Sequence, residues 1–517
     1  MAGMKTMSIL APRPRGAEAR VRVPCQPRCK NAPGARAVSA QTTAAAGRFH
    51  FSRLLASLLL LIIIVSDLPT TDAAPARERM VVVISVDGFG SQYLRDPRAK
   101  MPNLRKLARD GATADRMECA FPTLTRPNHT TLITGRSPGA HGVIGNEYLD
   151  RRTGRIVECR PRTNYLQIVK APTLMDAAKE AGLTTAGVAW PASAGSPSLD
   201  WTIPDLDFQG DFERASTPGL LEALQAEGIS HKQRHTWKRS GLLGLRPRDR
   251  MRVAVAEHII RKRRPNLLLL NLITLDSVQH VSGPRTDEAF AACAFIDEQI
   301  GRLIAAADEA GMTDNTTFLI VSDHGFVTFD KWICPNVLLK REGTLSANDA
   351  RPAPGTAVCL AQGGAAFVYV ADSADGRSLV PDLAAPLRKL EGVAAAFEPG
   401  DFAAYGHRPP DRNPREPDIL LAARPGYCFN PIRSGDSTII PVGAARGAHG
   451  HLPFHPGMQA AFIAAGAGVK RGGRAEAIRN LDVAPTIASL LGIRFPTAEG
   501  RVLREILKPA RNGPPAK

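Results

Sequence analysis

Apolar and polar residues follow one another along this chain in long blocks, and the blocks repeat. Residues 80–88, MVVVISVDG, form a continuous β-branched run that closes on Asp87. A strand apolar on both sides belongs in a sheet covered on both faces, the habit of parallel sheets. MPNLRKLARDGA (101–112) follows with helical spacing and Gly111 as its stop. The order returns with NLLLLNLITLD (266–276), which ends in Asp276, and with TTFLIVSDHG (316–325), which carries Asp323 and His324. Between those two runs, residues 288–311 have helical periodicity and a stop at Gly311. Strand, helix, strand in this rhythm predicts βαβ units, hence an α/β fold with a mostly parallel central sheet and helices on both faces. Three strands ending in aspartate at one edge place carboxylates where open α/β sheets bind ligands.

The remaining stretches read differently. Residues 147–260 are more polar, with WPASAGSPSLDW at 190–201 and a Trp/Arg/Gly-rich stretch near 235–250. They predict an inserted, substrate-facing region rather than another sheet repeat. Residues 341–357 and 406–447, rich in Pro, Gly and Arg, predict long loops. A strand is expected over 458–466 and a closing helix over 480–493. No period of 20–50 residues recurs, which excludes a repeat solenoid.

Charge changes this picture little. The chain of 517 residues carries a formal +17, but residues 1–75 hold ten basic against three acidic residues, which leaves +10 spread over the rest. The densest later run, RKRRP at 261–265, is short and no Lys/Arg block is interleaved with aromatics. Binding of a nucleic-acid polymer is not expected. LLASLLLLIIIV (54–65), preceded by Arg48 and Arg53 and followed by small residues near Ala73–Ala74, reads as an export signal. The run is short of the ~20 residues of a spanning helix, which favours a signal over an uncleaved membrane anchor, the alternative; a misread cytoplasmic start is the third option. With a signal or an anchor the main body is expected outside the cytoplasm, periplasmic or secreted. Its six cysteines, Cys119 to Cys428, would then meet conditions in which disulfides form. None lies in a CxxC, so a cysteine metal site is not expected, and spacing does not fix a pairing.

Candidate chemistry gathers at the strand ends. Asp276 and His280 stand four apart in DSVQH, a spacing that brings both to one side of a helical turn. Asp87, Asp323, His324 and, in the Gly-flanked GAHGH, His449 complete a set of three Asp and three His without thiolate. Oxygen and imidazole donors suit zinc, with manganese a poorer match, and six are too many for one tetrahedral ion. Each residue alone has a plainer explanation: a structural histidine, a strand-end turn, a helix cap. In FPTLTRPNHTTLITG (121–135) Pro127 suits the first helical position, with Arg126 as N-cap and Thr125 just outside. The Thr125 hydroxyl could serve the helix's free N–H groups. At a helix N-terminus that favours phosphate, and beside a dication, it could instead become a nucleophile.

Taken in order, VISVDGFG, FPTLTRPNHTTLITGRSPGAHGVIGN, DSVQHVSGP, VSDHGF and GAHGHLP resemble the motifs of the nucleotide pyrophosphatase/phosphodiesterase family of the alkaline phosphatase superfamily. The resemblance covers most of residues 80–500, ends with LDVAPTIASLLGI, and leaves 501–517 as a tail. It implies an alkaline-phosphatase-like catalytic domain, two zinc ions and a phosphothreonine intermediate, acting on a small phosphate ester or nucleotide. Thr125 matches the nucleophile. Asp87, Thr125, Asp323 and His324 match the ligands of one metal, and Asp276, His280 and His449 those of the other. Asn146 matches the asparagine that donates to a phosphoryl oxygen. The chain departs from the family in having Arg126 where nucleotide-cleaving members carry an aromatic residue, His451 in place of a Tyr, and Ala192 in WPAS in place of Gly. Arg126 and Trp190 are the candidates for substrate contact. The departures keep open a phosphomonoesterase or phosphonate hydrolase on the same fold, and a catalytically silent, metal-stabilised envelope protein. Oligomeric state is not legible.

Overall fold

The computed structural model describes residues 78–159, 165–205, 210–232, 245–347 and 352–509. The basic segment 1–75, its apolar run 54–65, residues 235–244 of the Trp/Arg/Gly-rich stretch and residues 510–517 of the C-terminal tail lie outside the described residues. Among the described residues no helix is long and apolar enough to cross a membrane.

The main sheet has eight strands: β1 (Met80–Val86), β2 (Ala112–Glu118), β3 (Thr185–Val188), β4 (Trp201–Ile203), β5 (Leu267–Leu272), β6 (Thr316–Val321), β7 (Phe462–Gly466) and β8 (Gly473–Arg479). Their order is β8-β2-β7-β6-β1-β5-β3-β4, and β7 alone runs against the rest. β1, the run MVVVISV, lies at the centre, parallel to β5 (Val81↔Leu267) and to β6 (Val81↔Thr317). Every residue of these three strands is buried, as unbroken apolar runs require. Alternate residues of β1 face opposite ways, Val81 and Val83 into one apolar cluster and Val82 and Ile84 into the other. The helix Asp287–Glu309, capped by Thr286 through the amide of Ala289, covers the second cluster.

The sheet extends further than the sequence suggests. The region 147–260, expected to lie outside the sheet, contributes β3 and β4. β4 has three residues and β3 reads TAGV, too short and too small-chained to show a period; Gly187 leaves room for Leu199, whose Cδ1 would stand 2.9 Å from an added Cβ. Residues 406–447 are likewise not one long loop. Ile419–Ala423 joins a four-stranded antiparallel sheet, while Gly426–Phe429 and Ile439–Ala448 flank Val327–Ile333 in a three-stranded one. The Pro, Gly and Arg residues there sit in turns and on exposed strand positions, where their composition masks the pairing. The six cysteines among the described residues are buried and unpaired. Burial pushes the Cys159 thiol up to about 12, so these residues act as small apolar side chains.

Candidate functional site

The three central parallel strands β6, β1 and β5 end side by side, and each delivers acidic or imidazole groups at its carboxyl end. Asp87 follows β1, and Ser322, Asp323 and His324 follow β6. After β5 the chain enters the helix Thr274–Ser282, which bears Asp276 and His280 one turn apart. Asp249 accepts from the amides of Ile273 and Thr274 at that helix's start and fixes its angle. His449 comes from elsewhere: the strand Ile439–Ala448 pairs with Val327–Ile333, which leaves β6, and so returns its C-terminal residue to the same edge.

Gly88 allows the turn after β1. Its φ is +73°, and an added Cβ would stand 2.5 Å from the Phe326 ring. That ring is a shared wall, with centroids 5.0 Å from His280, 5.2 Å from His449 and 5.7 Å from His324. The His324 and His449 rings stack 3.6 Å apart, 9° from parallel.

Thr125 is the first residue of a helix, Thr125–Thr134, whose N-cap is Leu124. The expected start at Pro127 is therefore two residues late. Pro127 is tolerated because the first N–H groups of a helix have no intrahelical acceptor. Thr125 Oγ1 lies 3.4 Å from His324 Nε2, which in turn lies 3.5 Å from Asp87 Oδ1 and 3.1 Å from Asp323 Oδ2. Beside them His280 Nε2 is 3.4 Å from Asp276 Oδ1, and His449 Nε2 is 3.8 Å from the same oxygen.

The second nitrogen of each ring decides what the first can do. His324 Nδ1 donates to the Gly325 carbonyl at 3.1 Å, His280 Nδ1 to Gly447 at 3.3 Å, and His449 Nδ1 to Thr123 at 3.0 Å. Each ring so tethered turns its Nε2 toward the carboxylates of the cluster. His280 Nε2 and His449 Nε2 face each other at 3.2 Å; burial lowers the proton affinity of His280, but Asp276 outweighs it and the net shift is upward. Asp87 Oδ1, Asp276 Oδ1 and Asp323 Oδ2 are buried with no hydrogen-bond partner. Buried polar atoms normally have one, and these three point into the same space. The donor atoms of Asp276, His280 and His449 lie within 4.8 Å of one another, as do those of Asp87, Asp276 and His324. The donor set fits divalent metal.

Charge interactions within the cluster are strong. Burial, with Asp323 and Asp276 nearby, drives the Asp87 carboxyl well above the usual carboxylate range. Burial acts the same way on Asp323, but His324 and His129 outweigh it and hold that carboxyl low. Burial together with His324 and His280 pushes His449 well below the ordinary imidazole value, which keeps its ring neutral.

The other expected residues fall around this centre. Asn146 Oδ1 accepts from the Arg126 amide at 3.2 Å, which turns its amide nitrogen the other way. The Arg126 guanidinium meets Asp205 at 3.1 Å. Trp190 is fully buried, its ring edge-on to His129 at 5.0 Å. His451 is also buried, bonded to the Tyr427 carbonyl.

Two participants escaped the sequence reading. His129 stands four residues after Thr125 and bonds its carbonyl at 2.9 Å, while its other nitrogen meets Ser85 Oγ at 2.9 Å. With both nitrogens engaged it braces the helix start. Asn271, the polar residue inside the apolar run of β5, donates to Asp87 Oδ2 at 3.2 Å. An amide in an otherwise apolar strand was the available signal.

The family model of type I phosphodiesterase / nucleotide pyrophosphatase matches residues 81–451. The chain is 22% identical over 418 residues to ectonucleotide pyrophosphatase/phosphodiesterase family member 1 of Homo sapiens, covering 80% of this chain and 40% of that one. A Caenorhabditis elegans ectonucleotide pyrophosphatase/phosphodiesterase is 24% identical over 419 residues, with 80% and 43% covered. The chain thus spans about two fifths of the length of these curated relatives. Among solved structures, murine ectonucleotide pyrophosphatase / phosphodiesterase 5, an inactive variant in complex with AMP, superimposes with a TM-score of 0.63 at 18% identity, covering 83% of this chain and all of that one. The human counterpart gives 0.62 at 19% identity, with 83% and 99% covered.

Proposed function

This chain belongs to the type I phosphodiesterase / nucleotide pyrophosphatase family, within the alkaline-phosphatase-like folds, and on that premise we propose that it hydrolyses phosphodiester or pyrophosphate bonds of small phosphate esters or nucleotides through a phosphothreonine intermediate. The observation that carries the reading is the convergence of three imidazole Nε2 atoms and three unpartnered carboxylate oxygens beside one hydroxyl, that of Thr125.

Asp87, Asp323, His324 and Thr125 would hold one zinc ion, and Asp276, His280 and His449 a second. Bound there, the ions supply positive charge that eases loss of the Thr125 proton and offsets charge building on the phosphoryl group and leaving oxygen. Thr125 Oγ1 attacks phosphorus in line and forms the O–P bond as the bond to the leaving group breaks. Water then cleaves the phosphothreonine and restores the hydroxyl. His129 holds the Thr125 carbonyl, so the hydroxyl stays aimed while both bonds exchange. Asn146, its Oδ1 occupied by the Arg126 amide, offers its NH2 to a phosphoryl oxygen, the role of an oxyanion donor. The catalytic domain is residues 80–500, exported from the cytoplasm.

Replacement of Thr125 by Ala tests the assignment. Turnover of bis-p-nitrophenyl phosphate should fall at least 1000-fold while bound zinc stays near two per chain. A variant as active as the wild type would remove Thr125 as nucleophile.

A further inference from the structure

We propose that the site selects substrates whose retained group, the one left on phosphorus after the leaving group departs, carries an anion of its own, and that Arg126 binds it. This rests on the hydrolase reading above and specifies its substrate class.

Arg126 immediately follows Thr125, and its backbone amide is already committed to Asn146. Its side chain leaves the helix start and reaches Asp205, just past β4, the outermost parallel strand. There Asp205 is shared, with Arg252 Nη2 at 2.7 Å on its other oxygen. Arg252 is itself buried and donates to the Asn271 carbonyl at 3.1 Å, so the carboxylate is anchored to the end of β5. Burial opposes ionisation of Asp205, yet Arg252, Arg126 and Arg248 hold its carboxyl below the usual range. Arg126 and Arg252 thus share one carboxylate, with Asp249 3.7 Å from Arg252.

Arg126 is also under-used. Of its three guanidinium nitrogens only Nη2 has an acceptor, and Nη1 is enclosed without one among the described residues. A guanidinium has five N–H donors in a planar fork, suited to a carboxylate or phosphate. An unmet donor away from water costs about 1–3 kcal/mol, a cost relieved when an anion enters. The direction of the side chain identifies which part of the substrate that anion is on. In an in-line displacement the leaving group departs on the side of phosphorus away from the nucleophile, while the retained group lies to the side of that axis. Arg126 directly follows the nucleophile on its helix, and its guanidinium lies to one side of it, beside Asp205.

Three p-nitrophenyl diesters test this: the ester of thymidine 5′-phosphate, the same ester bearing a 3′-phosphate, and one whose retained group bears a carboxylate. The wild type should favour one or both charged esters over the uncharged one by at least tenfold in kcat/KM. Arg126→Ala should bring that ratio close to one, and Arg126→Lys, which keeps the charge but not the fork, should give an intermediate ratio. The phosphate and carboxylate arms identify which anion the fork accepts. No preference in the wild type, or one that survives Arg126→Ala, overturns the proposal. Failure of the hydrolase reading looks different: no p-nitrophenol is released from any ester. The subsite is then judged by calorimetry on the same proteins. Thymidine 3′,5′-bisphosphate should bind at least tenfold tighter than thymidine 5′-monophosphate, and Arg126→Ala should erase the difference; equal affinities in the wild type refute it.

Discussion

Gly88 concentrates two constraints in one position, and replacing it by alanine separates them. Its φ of +73° is a left-handed backbone, and an added Cβ would stand 2.5 Å from Phe326 Cε2 and 3.0 Å from Gln279 Nε2. The backbone contribution is roughly 1–2 kcal/mol for a residue with a Cβ. Relief of the overlap in a packed interior adds about 1–3 kcal/mol. Together they amount to about 2–5 kcal/mol, a large share of the 5–15 kcal/mol typical of a folded domain. Gly311 is the control, with φ +68° and nothing within 4 Å of its added Cβ. Gly311→Ala should cost only the backbone part, about 1–2 kcal/mol. Urea unfolding of both variants gives the two losses from midpoints at a common m value. The ring displaced in Gly88→Ala also backs His280, His324 and His449, so this variant should bind zinc more weakly while Gly311→Ala binds normally. Equal destabilisation of the two variants, with equal zinc content, would refute the steric half of the reasoning.

Other consequences follow from buried charge. His407 and Glu416 form a fully enclosed pair at 2.8 Å, and His407 Nε2 holds the Phe121 carbonyl at 2.9 Å. Burial lowers the affinity of His407 for a proton, but Glu416 outweighs burial and the net shift is upward. A raised folded value means the pair's stabilisation is fully present below about pH 6.5 and is lost as pH rises through the folded value. His407→Gln should therefore lower stability by about 3–5 kcal/mol at pH 6 and by less at alkaline pH; a pH-independent loss in melting experiments would contradict the pairing. Stripping the protein with a chelator should lower the melting temperature, because an ion present at a hundred times its Kd contributes about 2.7 kcal/mol. Zinc should restore it, and an unchanged melting point on chelation would count against the three carboxylates as ligands.

The sequence shows best what is built from long uniform blocks. The β1, β5 and β6 runs are apolar along their whole length, and a strand that ends in Asp87, or a helix bearing Asp276 and His280 four apart, places its side chains by local geometry alone. What it hides is decided by distant partners. β3 is a strand because β5 lies beside it, and β4 because β3 does, not because TAGV or WTI prefers to extend. The run Ile439–Ala448 contains Pro441 and Gly443 and reads as a loop until Val327–Ile333 supplies its partner, with a register shift between Pro441 and Arg446. Residue type marks His129, Asn271 and Asp205 as candidates at most; only the folded arrangement brings the first two to Thr125 and Asp87 and the third to Arg126.

The three hydrogen bonds at Thr123 carry one more implication. Its carbonyl receives His449 Nδ1–H, its hydroxyl donates to the His451 carbonyl, and the Gly450 amide donates to that hydroxyl. A ribosome emitting this chain delivers Thr123 more than three hundred residues before those partners. Until residues 449–451 leave the exit tunnel, the nascent polypeptide has the alcohol but no latch to hold its loop. The loop that carries Thr123 is therefore held only after the chain has been made through residue 451, so this corner of the cluster is assembled late relative to the strands β1, β5 and β6.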